Sequence, residues 1–514
     1  PQQDDRLYTC HHMSRLVVAL CAVVVWGSPV RESDEAARVA VIGGGIAGGA
    51  TSYYLQNFLK AAGLPPAAIS VYERSDYVGG RLKSIEFEGV HVEIGGAAWV
   101  DANQYMVELA KEVLPPPSPP GPAPPGPPPP PQRQGIGVWN GSAFLPLVDI
   151  VVRHAGDLAK ITALELEFIG QMKQSYAKQR SSPPWANVSA FLEWGGIDKY
   201  TNRSISSYLE GEWGISPAMV QDAAVPLNRA IYNRNADSAA FAFLASLTAE
   251  FGGDHHAPGG NGLLVKALLD KAGGTTTHLS TDVRAISLAP PREGTTGAAG
   301  AGAPSPRFSV LLNTSAAPVV YDHVVVAAPL ERTAIRFTDL SDAAAAAKLD
   351  RGFTDWYVTV IKAGALDAKQ FGPASAADPC TAHEGCIVLT TAAGSTEKTP
   401  YVCIQPLGKH GEGPGSENVW MVYSDEKPDP FVLFTNVSAF ESHHWPYTFS
   451  GLKPVTEPLA QLQPVVLHPA GLINANALES IASAMEISVM GARNAARIVA
   501  QLVEERRGRS EIAI

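Results

Sequence analysis

Residues 38–55 read Arg38-Val39-Ala40-Val41-Ile42-Gly43-Gly44-Gly45-Ile46-Ala47-Gly48-Gly49-Ala50-Thr51-Ser52-Tyr53-Tyr54-Leu55. A β-branched apolar run enters a GxGxxG turn and leaves it as a helix, the strand–turn–helix order of a dinucleotide-binding unit. Gly43 permits the tight turn, Gly45 lets the backbone approach a pyrophosphate, and Gly48 lets the helix pack on the strand. Ile46 and Ala47 then open a helix whose N-terminus faces the anion. A second strand, Ile69 to Tyr72, ends in Glu73-Arg74 and places a carboxylate to accept hydrogen bonds from adenosine ribose hydroxyls. The interval before Glu73 is a few residues longer than usual, and a small loop over Ala61 to Ala67 accounts for it. A glycine-rich turn in an unrelated α/β protein is the plain alternative.

Downstream stand Val78-Gly79-Gly80-Arg81-Leu82 and Glu93-Ile94-Gly95-Gly96-Ala97-Ala98-Trp99. Glycine pairs such as Gly79-Gly80 and Gly95-Gly96, with the small Ala97, let backbone approach a bulky planar ligand. Arg81 can neutralise pyrophosphate charge; a surface ion pair is its other reading. A simple nicotinamide domain needs neither segment. The GG-R pair after an acidic strand resembles FAD enzymes of the amine-oxidase type, so FAD is the expected cofactor.

The chain has 514 residues, 39 Lys+Arg against 50 Asp+Glu for a net charge of −11, and 46% hydrophobic residues. That composition excludes a disordered chain and argues against a nucleic-acid partner, which would need clustered positive charge. Residues 1–37 are set aside: Met13-Ser14-Arg15, the apolar run Leu16 to Trp26 and the small Gly27-Ser28 read as a secretory signal, too short to span a bilayer. A buried strand or short helix is the alternative. No other stretch approaches spanning length. Asn-x-Ser/Thr triplets at Asn140, Asn187, Asn202, Asn313 and Asn436 favour passage through the secretory pathway. A Cys380–Cys386 disulfide suits such a compartment, with reduced buried thiols the alternative. His255-His256 and His443-His444 have no third ligand at metal spacing, so no metal is expected.

Pro115 to Pro131 is nearly all Pro and Gly, and Arg292 to Pro306 is rich in Gly, Ala and Thr; both read as exposed inserts. Between them residues 135–252 are mainly helical, with apolar spacing over Leu158 to Gln179 and Ala218 to Tyr232 and a capped helix over Ser204 to Glu212. Strands resume at Thr281 to Ile286, where the Val283 backbone can reach adenine, then at Phe308 to Leu312 and Tyr321 to Pro329. Residues 336–464 suggest a sheet walling a substrate site. Gly471 to Asn474 reads as a strand, Asn476 to Glu479 as a turn and Ser480 to Glu504 as a long helix whose N-terminus faces the flavin pyrimidine. An ordinary C-terminal packing helix is the alternative. The expected fold is α/β: a discontinuous Rossmann-like FAD domain (38–114, 253–335, 465–508) interleaved with an α+β substrate domain (135–252, 336–464), with 115–134 an insert.

With these segments placed, the sequence resembles the prenylcysteine oxidase (farnesylcysteine lyase) family. The likeness rests on Val41 to Gly48, Tyr72 to Leu82, Glu93 to Ala97, Gly259-Gly260-Asn261, Val324 to Leu330, and above all Asn476 to Glu479 with Ala482-Ser483-Ala484-Met485-Glu486. Ala477, where the family tends to place Gly, and the proline insert depart from its pattern. The resemblance implies oxidation of prenylcysteine to cysteine, a prenyl aldehyde and hydrogen peroxide with O2 as acceptor, in a lysosome or lytic vacuole of the secretory pathway. Glu479, Met485 and Glu486 would then stand at the flavin, with Glu479 either bonding the ribityl chain or staying solvated. No catalytic side chain is singled out, because the cofactor carries the redox step. Trp99, Trp139, Trp194 and Trp213 are candidates for a lipid pocket, with core packing as the default. An amine or polyamine oxidase and a non-catalytic flavin-binding glycoprotein are the rival readings, and oligomeric state is left open. Lipid desaturation is disfavoured by the lack of a membrane-docking stretch.

Overall fold

The computed structural model describes residues 36–116, 135–145, 147–248, 255–290, 306–371, 386–392, 401–410 and 417–512. The signal-like segment, most of the proline insert, the Gly/Ala/Thr-rich stretch and Cys380 lie outside them. Strand Arg38–Ile42 is buried from Val39 onward, as a central parallel strand covered on both faces must be. It pairs in parallel with Ala68–Tyr72 on one side and His323–Val326 on the other. Thr275–His278 and Leu472–Asn474 extend the parallel sheet outward, and Val466–His468 closes one edge antiparallel, making six strands.

Helix Ile46–Ala61 follows the first strand and packs against the last helix, Met485–Ile512, and against Gly262–Lys271. Gly49 makes the second contact possible: a Cβ there would stand 3.1 Å from Val265 Cγ1. Residues far apart in sequence thus share one Rossmann-like layer, with Val283–Leu288 and Phe308–Leu312 in a smaller four-stranded sheet beside it.

The second domain has a helical part and a seven-stranded sheet. The stretch expected to be mainly helical from residue 135 also supplies two strands, Gly135–Trp139 and Phe144–Leu145, to that sheet. Gly135–Trp139 pairs in parallel with Cys386–Thr390 across more than 240 residues, a register no local pattern reveals, and Phe144–Leu145 folds back antiparallel on Gly135–Trp139 at the sheet edge. The helices follow local sequence more closely. Ser204 caps Ile205–Leu209 by accepting from Ser207 N, and Asn187 caps Val188–Gly195 by accepting from Ala190 N. The final helix begins at Met485 rather than Ser480, because Ala477–Ser480 forms a separate 3-10 turn.

Candidate functional site

Helix Ile46–Ala61 starts from Gly45 in extended conformation, with no side chain capping it and no acidic residue in its first turn. Its first N–H groups and the positive end of its dipole are left for an anion. Gly43, at φ +112°, leaves no room for a side chain, since a Cβ would lie 2.8 Å from the Ala327 carbonyl oxygen. Gly48 lies under the turn, where a Cβ would fall 1.9 Å from the Gly43 oxygen. Gly45 is different: its nearest neighbour would be the Gly79 oxygen at 3.7 Å, so its open side faces the groove it lines with Gly79 and Gly80. Glu73 is buried and accepts from Gly44 N at 2.7 Å and Ser75 N at 2.8 Å. It thereby fastens the turn it faces, while lining the same groove with Arg74 and Val283.

Arg81 and Glu479 are brought together by the fold across nearly 400 residues. Arg81 Nη1 donates to Glu479 Oε1 and, at 2.8 Å, to the Thr448 carbonyl. Glu479 also accepts from Asn476 Nδ2 and from Ser483 Oγ at 2.7 Å. Burial pushes its carboxyl up, but the Arg81 charge and these hydrogen bonds outweigh that and hold it below the usual range. Glu479 is therefore not solvated, and the Arg81 charge is balanced within the protein. The solvated reading of Glu479 gives way to a buried ion pair, as does the surface ion pair read for Arg81.

Glu486 lines the cavity wall, with its carboxylate already engaged. Its two carboxylate oxygens accept from Tyr105 N and Met106 N, each at 2.9 Å, in the first turn of helix Gln104–Val113. Burial pushes the carboxyl up to about 7, against the lowering pull of those N–H groups and the Tyr176 hydroxyl. It ties two helices together at the cavity wall. Met485 lies beside it, close to Gly96, and lines the cavity with Gly95, Gly96 and Ala97.

Asn261, which entered the sequence reading only as part of the Gly259-Gly260-Asn261 likeness and with no role, organises this wall. The residue is fully buried; its Nδ2 donates to the Gly96 and Ala97 carbonyls at 2.8 Å, and its Oδ1 accepts from Ala257 N at 2.8 Å. A polar residue after two glycines, at the entry to a helix, was the available signal.

One cavity of about 920 Å³ joins the glycine groove to a chamber between the helices and the sheet. In the chamber Tyr232 meets Phe449 edge-on at 5.2 Å, Phe449 meets Trp356 at 5.1 Å, and Trp356 meets Tyr423 at 5.1 Å. Phe168, Met172 and Phe241 close the helical side. Of the four tryptophans proposed for a lipid pocket only Trp99 lines the cavity. Trp139 packs on Phe144 and Phe371 in a separate core, and Trp194 and Trp213 lie against the helical core. The carboxylates on the wall are Glu73 and Asp282 at the dinucleotide end and Glu486, whose oxygens are taken. His443 and His444 reach the cavity from the strand Ala439–Ser450; burial pushes the His443 imidazole below its ordinary value against the raising effect of Glu441.

His255 bonds Asp101 Oδ1 through Nε2 at 2.6 Å and stacks on Trp99. Among the described residues no cluster of His, Cys, Asp and Glu could hold a metal. Among them, too, no helix is long and apolar enough to cross a membrane. Cys386 is disulfide-bonded, and Cys403 is free and buried.

Comparison with known proteins agrees with this architecture. Residues 41–113 match an NAD(P)-binding Rossmann-like domain. Among solved structures, cyclohexylamine oxidase from Brevibacterium oxydans superposes with a TM-score of 0.55 at 15% identity, covering 92% of this chain and 99% of that one. A putative protoporphyrinogen oxidase from Exiguobacterium gives 0.52 at 13% identity over 92% and 99%. At such identities the likeness is one of fold. In sequence, the chain is 23% identical to farnesylcysteine lyase of Arabidopsis thaliana over 91% of this chain and 89% of that protein. It is 25% identical to human prenylcysteine oxidase 1 over 89% and 88%. The prenylcysteine lyase family model matches residues 144–511, most of the chain and all of its chamber-forming segments except those before residue 144. A dinucleotide groove continued into an aromatic chamber, on a chain matched over that length, makes this protein a member of the prenylcysteine lyase family.

Proposed function

We propose that the protein is an FAD-dependent thioether oxidase that cleaves an S-prenylcysteine to cysteine, a prenyl aldehyde and hydrogen peroxide. The observation that carries the proposal is the continuity of one cavity from the uncapped Rossmann turn to an aromatic and apolar chamber. The residues present fit FAD. The groove keeps glycine wherever a Cβ would intrude, and the helix N-terminus retains unspent donors for a pyrophosphate. Gly45, Ile46 and Ala47 would hold the pyrophosphate, Glu73, Arg74 and Val283 the adenosine, and Gly80, Gly95, Gly96, Ala97 and Met485 the flavin. When bound, FAD supplies two-electron oxidation and is restored by O2.

The protein's own contribution is placement. Tyr232, Phe449, Trp356 and Tyr423 form an apolar wall that orients the thioether and limits water. The last helix presents its positive end to the cavity through Met485 to Ser488, which favours negative charge there. Oxidation at the carbon next to sulfur leaves a sulfur-stabilised cation. Water adds to it, and the C–S bond then breaks to release thiol and aldehyde, so no strong base is needed. In sum, thioether, O2 and H2O yield cysteine, aldehyde and H2O2.

Routing through the secretory pathway to a lysosome or lytic vacuole belongs to the same proposal. The exposed sequon asparagines Asn202, Asn313 and Asn436 and the disulfide-bonded Cys386 support it. The test is peroxide release with S-farnesylcysteine beside spermine. The proposal expects turnover with the first and none with the second, and the reverse pattern would overturn it.

A further inference from the structure

Helix Ala155–Ser181 turns Phe168, Ile169 and Met172 toward the cavity, and helix Ala240–Leu247 turns Phe241 and Ala245 toward it. Residues four apart stack on one helix face, so each set is one stripe. Phe168 and Phe241 meet edge to face with centroids 5.5 Å apart, which closes the stripes on each other at that point. One turn beyond Phe241 the wall carries only the methyl group of Ala245. Phe168 and Phe241 are buried, Ile169, Met172 and Ala245 are half-buried, and a turn further along the same stripes Tyr176 and Thr248 are buried again, with Tyr176 bonding Glu486 on the dinucleotide side. The result is a mainly apolar slot between the two helices, closed by the Phe168–Phe241 pair at the end away from Glu486, with its smallest side chain at Ala245.

We infer that this slot takes the far isoprene units of the substrate tail and that Ala245 sets how long a tail the enzyme accepts. The inference rests on the thioether-oxidase proposal and deepens it. The cysteine head is a zwitterion, which the stretch lined by Phe168, Ile169, Met172, Phe241 and Ala245 would reject, whereas an isoprenoid gains from the burial. A small residue in an otherwise bulky wall leaves the passage that a longer chain needs. Filling it penalises the added unit and spares what lies nearer the reacting carbon.

The experiment compares S-geranyl-, S-farnesyl- and S-geranylgeranyl-cysteine with the cofactor-loaded full chain and its Ala245→Leu, Ala245→Phe and Met172→Ala variants. The Phe variant is expected to lose at least about ten-fold more kcat/KM on the geranylgeranyl than on the geranyl substrate, chiefly through KM. The Leu variant should show the same order more weakly. Met172→Ala widens the slot from the opposite wall and should shift preference toward the longest chain, which gives a readout even if a bulky side chain at 245 impairs folding. Equal losses on all three chains in the Ala245 variants, with an active wild type and no shift in Met172→Ala, would overturn the slot assignment alone. A wild type that oxidises none of the three would overturn the thioether reading and the slot with it.

Discussion

Replacing Glu479 with Gln keeps the side-chain shape and removes the charge that balances Arg81. Glu479 is 3% exposed and Arg81 34%. Breaking a fully buried pair by removing one partner costs about 3–5 kcal/mol; solvent access at Arg81 takes up part of that load, leaving about 2 kcal/mol. The new amide also turns an NH2 toward the donors of Asn476, Ser483 or Arg81, which adds to the loss. Because the folded carboxyl titrates below its unfolded value, its contribution is present above about pH 4.3 and fades as pH falls through the folded pKa. Urea denaturation at pH 7 should therefore show Glu479→Gln less stable by about 2 kcal/mol, with the gap narrowing in acid. Arg81→Met in the same background should recover much of the loss, giving a coupling energy of about 1–2 kcal/mol. A single variant within about 0.5 kcal/mol of wild type, or a double variant equal to the sum of the singles, would refute the ion-pair reasoning.

Two glycines of the same turn should fail differently. Gly48→Ala drives a Cβ to 1.9 Å from a backbone oxygen and should cost more than about 4 kcal/mol in denaturation, whereas Gly45→Ala should fold normally and lose at least about ten-fold in FAD affinity by fluorescence titration. Glu486 carries a folded pKa of about 7, above its unfolded value, so its share of stability is full in acid and lost as pH rises through 7. Wild type should lose about 2–3 kcal/mol from this group between pH 4.5 and 8, and Glu486→Gln should flatten the profile. Asn261→Ala strands the Gly96 and Ala97 carbonyls; a fall of about 2–3 kcal/mol in denaturation and faster release of FAD on dilution are expected.

The Rossmann layer was legible because its signals are local: a β-branched run, a turn whose glycines are demanded by backbone contacts, and a helix, all within residues 38–55. The chamber was not. Trp356 reaches Phe449 only because strand Phe353–Ala363 pairs with Ala439–Ser450, and Tyr232 arrives from a helix more than 120 residues earlier. Arg81 and Glu479 each carried a correct signal of importance, yet their sequence contexts could not show that each is the other's partner. Glu486 stands on the cavity wall, but its sequence context could not show that it also satisfies the orphan donors of a second helix.

The most direct test of the account is to load the protein with FAD and mix it with S-farnesylcysteine in the absence of oxygen. The account predicts that the yellow colour bleaches within a turnover and that farnesal and cysteine appear in equal amounts. A protein that holds FAD tightly, stays yellow with every prenylcysteine and bleaches with an amine would contradict it.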